Sequence, residues 1–310
     1  MTDHKYFPLV VDNTMREEFV RCEKAAYWNH ERGLKPLEAS VDLHAGAAFA
    51  KGVEVARRSF WERGNSAYES VVFGVEALYA AYGNFIPPDR SAKTVDRMAG
   101  ALTYYFEKFP FEDDWTPLNV PTGPFFKVPV ATIEYPFSFP IDCEHPRTGQ
   151  SLVYAGKPDM IAVHNGVVWA VDEKTGSNLS DAWALQWELN SQITGYCWAV
   201  PQILAANDID LPFGGVVIRG TGINSKAYSS LTIECVRQEW EIQRWKQQVQ
   251  RDIKRWADSS KYGDHNYALS HACAQYNSPC AYAKLCKAHD PEYMIESNYV
   301  ERHWNPLEVK

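Results

Sequence analysis

Two strand-like runs meet at Asn165-Gly166, and that dipeptide constrains the fold of this 310-residue chain more than any other feature. The runs are Asp159-Met-Ile-Ala-Val-His164 and Val167-Val-Trp-Ala-Val-Asp172. Asn-Gly between such runs is the strongest short-range signal for a two-residue hairpin turn. The turn fixes the register. With His164 facing Val167, each pair further out sums to the same residue number, so Asp159 falls opposite Asp172, with Cβ atoms about 4.5–5.5 Å apart. Lys174, two residues on, points to the same face of a regular strand.

Two carboxylates brought together at the end of an apolar hairpin repel each other. A divalent cation between them removes the repulsion, because Mg²⁺ is held by one or two carboxylates together with water and phosphate oxygens. Such a metal lowers the pKa of a bound water, and the Lys174 ammonium supports attack or the charge on phosphorus. The bland alternative stays open at this level: Asp159 simply starts a strand after Pro158, and Asp172 and Lys174 form an exposed pair before Thr175-Gly176.

The rest of the chain reads as a mixture of helices and strands. Apolar residues at three- and four-residue spacing predict helices over Thr14 to His30, Val41 to Glu62, Tyr68 to Tyr82 and Arg90 to Phe109. From Phe125 to Asp172 short β-branched and aromatic runs, punctuated by prolines, predict strands. A helix from Asp181 to Val200, a strand over Gly214 to Arg219 and an amphipathic helix with a basic flank over Val236 to Trp256 follow. That flank reads either as a solvated face or as a contact for a nucleic-acid backbone. The formal charge of −8 argues against a protein that grips nucleic acid over its whole surface, yet it leaves room for a basic channel. There is no long uncharged apolar run and no apolar N-terminal stretch, so the expectation is a cytoplasmic protein with no membrane partner.

Beyond the hairpin, Gly156-Lys-Pro-Asp159, then Asp172-Glu-Lys174-Thr-Gly, then Gln192-Ile-Thr-Gly-Tyr196 stand in order. This succession resembles the RecB-like branch of the PD-(D/E)XK nuclease superfamily. The resemblance implies an α/β, restriction-endonuclease-like fold: a mixed central sheet flanked by helices, with an N-terminal helical portion and a Cys-rich C-terminal tail. It implies that Asp159 and Asp172 bind Mg²⁺ or Mn²⁺, that the Glu173 carbonyl is a further ligand, and that Lys174 is the catalytic lysine. Gln192 and Tyr196, four apart on one helix face, would lie beside the active site. The family's first motif is matched by Gly46-Ala-Ala-Phe-Ala50-Lys-Gly-Val-Glu54. Glu54 is present there as a direct or indirect metal ligand, or else as a surface residue. Ala50 stands where relatives carry a metal-binding His, a departure that puts the strength of the metal site in doubt.

Cys273, Cys280 and Cys286 cluster near the C-terminus, and Cys22 is the only cysteine in the N-terminal helices. This distribution resembles the iron–sulfur nucleases of the same branch and implies that the four thiolates hold a 4Fe-4S cluster, with tetrahedral Zn²⁺ as the alternative. The gaps depart from the usual pair separated by two residues, and unrelated buried thiols remain a third reading. Because the motifs run from Cys22 to Cys286, the expectation is a single nuclease domain over 1–310, with a mainly helical portion at 1–120, the core at 121–260 and the tail at 261–310. The function implied is hydrolysis of DNA by an exonuclease acting on single-stranded or free ends, in recombination, repair or phage replication. No P-loop is present, so unwinding would come from a helicase or recombination partner. Two alternatives are a DNA-binding protein of the same fold with weakened catalysis, and a metalloprotein whose cluster serves regulation.

Overall fold

The computed structural model describes residues 7–37, 40–121, 129–263, 265–275 and 278–307. Part of the expected strand region, residues 125–128, lies outside the described residues. The chain divides into two compact units, one formed by Met1–Ala39, Pro136–Gly156 and Gln243–Lys310, the other by Ser40–Tyr135 and Lys157–Ile242.

The second unit carries the hairpin. Its longer helices are α1 (Val41–Trp61), α2 (Ala67–Tyr82), α3 (Val95–Lys108) and α4 (Ser191–Ala206), and its principal strands are β1 (Thr116–Pro117), β2 (Met160–His164), β3 (Val167–Gly176), β4 (Phe213–Ile223) and β5 (Tyr228–Cys235). The five strands form one mixed sheet in the order β5-β4-β3-β2-β1. Only β3 and β4 run parallel, and α4 supplies the crossover that a parallel pair needs. In β3 and β4 neighbouring residues on both faces are buried, as in Val168, Ala170, Val171, Val216, Val217 and Ile218. A strand covered on both sides is a continuous apolar run rather than an alternation.

Between β2 and β3 the register pairs His164 with Val167 and Met160 with Val171, so the ladder brings Asp159 to the level of Asp172. Asn165 and Gly166 take φ of 51° and 74°, as the left-handed turn requires. Helix α1 turns Ala45, Phe49, Val53 and Ala56 inward, and these share a core with Leu78 of α2, Leu102 and Phe106 of α3 and Ile223 of β4. Two glycines let α1 and α2 approach closely. A Cβ on Gly52 would meet the Gly74 carbonyl at 2.9 Å, and a Cβ on Gly74 would meet the Gly52 carbonyl at 2.7 Å.

In the first unit a three-stranded sheet joins Val10–Val11, Ser151–Gly156 and Phe137–Glu144. Fully buried Trp256, from the helix Glu239–Tyr262, stacks on Phe19 and donates its indole N–H to Glu31 at 2.8 Å.

Several expected helices have different ends. The helix expected over Thr14 to His30 breaks at Cys22, whose extended backbone ends Asn13–Arg21; Glu23–Ala26 and the π-helical turn Tyr27–Glu31 follow. The helix expected over Asp181 to Val200 is two helices, Asp181–Leu185 and α4, because Asn190 adopts an extended conformation and caps α4 through Ile193 N–H. Helix α3 starts at Val95 rather than Arg90, with Thr94 as its cap. The strand expected at Gly214 to Arg219 extends to Ile223, and β5 was not anticipated. Placing a Val at position 74 should force α1 and α2 apart and cost about 1–3 kcal/mol; a thermal melt followed by circular dichroism checks this, and an unchanged midpoint would refute the close helix crossing.

Candidate active site

The chemistry gathers where β3 leaves the hairpin. Asp172 is buried, 1% exposed, and its Oδ2 lies 2.7 Å from Lys174 Nζ. That ion pair and the nearby Tyr196 both favour the carboxylate in its charged form. Asp159 stands just before β2, and its Oδ2 accepts the Glu173 N–H at 2.6 Å. Burial raises the Asp159 carboxyl well above the usual carboxylate range, and the nearby Glu173, Asp172 and Glu134 push it in the same direction. Asp172 is likewise raised, first by burial, although Lys174 opposes the shift. Burial works against the charge on Lys174, but Asp172 and Asp159 outweigh it and hold the ammonium more firmly charged than usual.

Glu173, between the two, serves a different purpose. Arg57 of α1 grips its carboxylate with both terminal nitrogens, Nη1 at 3.1 Å, and Tyr105 of α3 donates to it at 2.9 Å. Burial alone would raise Glu173, yet Arg57 and these hydrogen bonds lower it, so this carboxylate stays ionised. Arg219, beside Glu173 in the parallel ladder, packs against the Phe109 and Trp115 rings and pairs with Asp113 at 3.6 Å. A buried pair of this quality locks β3 against α1 and α3 and aims Asp172 and Lys174 to the other face.

Gln192 and Tyr196 do lie together on α4. Gln192 Nε2 donates to the Tyr196 hydroxyl at 3.0 Å, and that hydroxyl donates to the Lys157 carbonyl at 3.0 Å. Tyr196 also lies close enough to Asp172 to favour its charged form. Glu54 is committed elsewhere: its carboxylate takes Lys51 and Arg58, both at 3.0 Å, and Arg58 in turn donates to the Ile133 carbonyl at 2.8 Å. His44 hydrogen-bonds the Tyr82 carbonyl and stacks on Phe85.

Arg57, Tyr105, Glu134 and Lys157 were not singled out from the sequence. Arg57 carried a signal, since it stands four residues after Val53 and eight after Phe49 on the buried face of α1. Glu134 carried none, because nothing local announces its left-handed backbone, φ 51°.

The cysteines belong to the first unit. Cys22, Cys280 and Cys286 pack on one apolar cluster with Trp28, Tyr282 and Leu285. Burial raises the Cys280 and Cys286 thiols, and the neighbouring cysteines add to the shift. Cys273 is exposed, and its carbonyl accepts the Cys280 N–H at 2.8 Å. Among the described residues no group of three or more His, Cys, Asp or Glu side chains is arranged to hold a metal ion. The aspartate pair nevertheless fits one hard cation: two neighbouring carboxylates, both raised by burial and with Asp172 raising Asp159 further, are what such an ion would stabilise.

The raised Asp159 pKa makes a sign prediction. The folded value lies above the unfolded one, so its contribution to stability is full below about pH 4 and is lost as pH rises through the folded value. Asp159→Asn should therefore melt increasingly above the metal-free wild type as pH rises above about 4. Added Mn²⁺ should raise the wild-type midpoint and not the variant's. Parallel melting curves for the two proteins by scanning fluorimetry would refute this assignment.

No curated protein matches the chain. A solved structure described as "Crystal structure of SSO0001" is similar over 88% of this chain and 94% of its own, at 9% identity and a TM-score of 0.33. No helix among the described residues is long and apolar enough to cross a membrane. The sequence profile of the PD-(D/E)XK nuclease superfamily matches residues 14–287, which includes the facing aspartates, Lys174, Gln192 and Tyr196, and the chain belongs to that superfamily.

Proposed function

We propose that this chain is a Mg²⁺- or Mn²⁺-dependent deoxyribonuclease, an exonuclease working on single-stranded or free DNA ends. The observation that carries the reading is that Asp159, one residue beyond the Met160–Val171 pair that ends the hairpin ladder, accepts the N–H of Glu173 next to Asp172, with the Lys174 ammonium 2.7 Å from the Asp172 carboxylate. In this reading Asp159 and Asp172 hold the cation, with the Glu173 carbonyl as a further ligand. The cation supplies an activated water and a Lewis acid for the phosphoryl oxygen. Lys174, kept charged by the two aspartates, stabilises charge on the phosphorus oxygens. Gln192 and Tyr196 hold the turn that bears Asp159. Lys51, Arg58 and Lys157 are partly exposed cations of the same unit, suited to phosphate contacts.

Glu54 is better read as the holder of Arg58 than as a metal ligand, since both its oxygens are engaged. The family match spans segments of both units, which favours one nuclease domain over two independent ones. Recombination, repair or phage replication with a helicase partner is the setting this activity suits.

For Cys22, Cys273, Cys280 and Cys286 we propose a 4Fe-4S cluster, with Zn²⁺ as the other candidate. The support is that three of the four thiols share one cluster of packed side chains. Anaerobically purified protein should carry iron and absorb visible light; colourless protein with stoichiometric zinc would replace the cluster, and protein with neither metal would refute both.

End-labelled single- and double-stranded DNA with Mg²⁺ or Mn²⁺ tests the activity. Asp172→Ala and Lys174→Ala should each slow cleavage by at least about 100-fold, and chelation should stop it. DNA binding without metal-dependent cleavage by the wild type would favour the catalytically weakened alternative, for which Ala50 in the first motif is the specific ground.

A further inference from the structure

We propose that Glu134 is a positioning residue of the metal centre, holding the Lys157–Asp159 turn through its own left-handed backbone and an ion pair to Lys157. The proposal rests on the metal-centre reading of Asp159 and Asp172 given above.

Asp159 needs such support because it precedes the first residue of β2, where the hairpin ladder has ended. Four interactions grip the turn. Asp159 Oδ2 takes the Glu173 N–H at 2.6 Å, and the Asp159 carbonyl takes the Glu134 N–H at 3.0 Å. The Lys157 carbonyl takes the Tyr196 hydroxyl at 3.0 Å, and the Lys157 ammonium pairs with the Glu134 carboxylate. Glu134 supplies two of the four, one from its backbone and one from its side chain.

Its own placement is fixed from the preceding residues. The Thr132 hydroxyl donates to the carbonyls of Leu118 and Ile161, at 2.9 and 2.7 Å, Ile161 N–H returns to the Thr132 carbonyl at 2.9 Å, and Ile133 bridges Met160. Immediately after this short ladder Glu134 turns to φ 51°, a conformation that costs a residue with a Cβ free energy and that Gly or Asn would adopt more readily. Its carboxylate also adds to the negative charge around Asp159. A residue that is strained in backbone and adverse in charge is held there by what it positions, and what it positions is the turn bearing Asp159.

Charge and positioning give opposite signs when Lys157 is changed. If Glu134 acted only by its negative charge, Glu134→Gln would weaken cation binding, while Lys157→Met, which removes a positive charge, would strengthen it. A clamp requires both to weaken it. Isothermal titration of Mn²⁺ into full-length wild type, Glu134→Gln, Lys157→Met and the double variant reads this without turnover. Each single substitution should weaken binding by about tenfold, and the double variant should be no weaker than either. Glu134→Gly, which relieves the backbone, should also bind Mn²⁺ more weakly while melting no lower than wild type; a purely structural residue would lose stability instead.

Unchanged affinity in Glu134→Gln, or tighter binding in Lys157→Met, overturns the clamp while leaving the metal centre intact. A wild type that takes up no Mn²⁺ overturns the metal-centre reading and the clamp with it.

Discussion

The enforced closeness of Asp159 and Asp172 is the constraint on which the site depends. Neither carboxylate is placed by mutual attraction. The hairpin register brings them level, and burial then removes the water that would have screened them, so both are pushed toward their neutral forms. Lys174 relieves part of the imbalance, leaving the remainder available to a cation. The neighbouring Glu173 shows the contrast: equally sequestered, it is fully compensated by Arg57 and Tyr105 and stays ionised. Adjacent residues of one strand thus have opposite electrostatic fates because alternation sends their side chains to different surroundings.

That alternation also divides labour. One face of β3 is anchored: Glu173 joins it to α1 and α3 through a buried charged network. The other face carries Asp172 and Lys174 and meets α4, whose Tyr196 donates to the Lys157 carbonyl, takes the Gln192 amide and lies close to Asp172. In this arrangement the glutamine and tyrosine four apart on α4 secure the approach to β2.

Much of this was legible in advance. Asn165-Gly166 determined a register that the structure reproduces from His164–Val167 to Met160–Val171, and the strand read at Gly214 to Arg219 lies within β4. Helix ends were less legible, because Asn190 and Thr94 decide them through caps that interrupt an otherwise continuous periodic pattern. The partners of Glu54 were hidden for another reason. Lys51 and Arg58 lie one turn away on the same helix, and sequence spacing alone does not say that both will pair with Glu54. Glu134 was illegible altogether, since its conformation is imposed by hydrogen bonds from residues far along the chain.

The boundaries of the two units add a consequence. The chain leaves the second unit after Tyr135 and re-enters it at Lys157, so the Glu134–Lys157 ion pair fastens the neck of the intervening segment, Pro136–Gly156. Beyond the neck the chain is ordered, because Phe137–Glu144 and Ser151–Gly156 pair as two strands of the first unit's sheet. A change in the length of that hairpin is therefore absorbed at its exposed far turn, residues 147–150, while the turn that presents Asp159 keeps its own contacts.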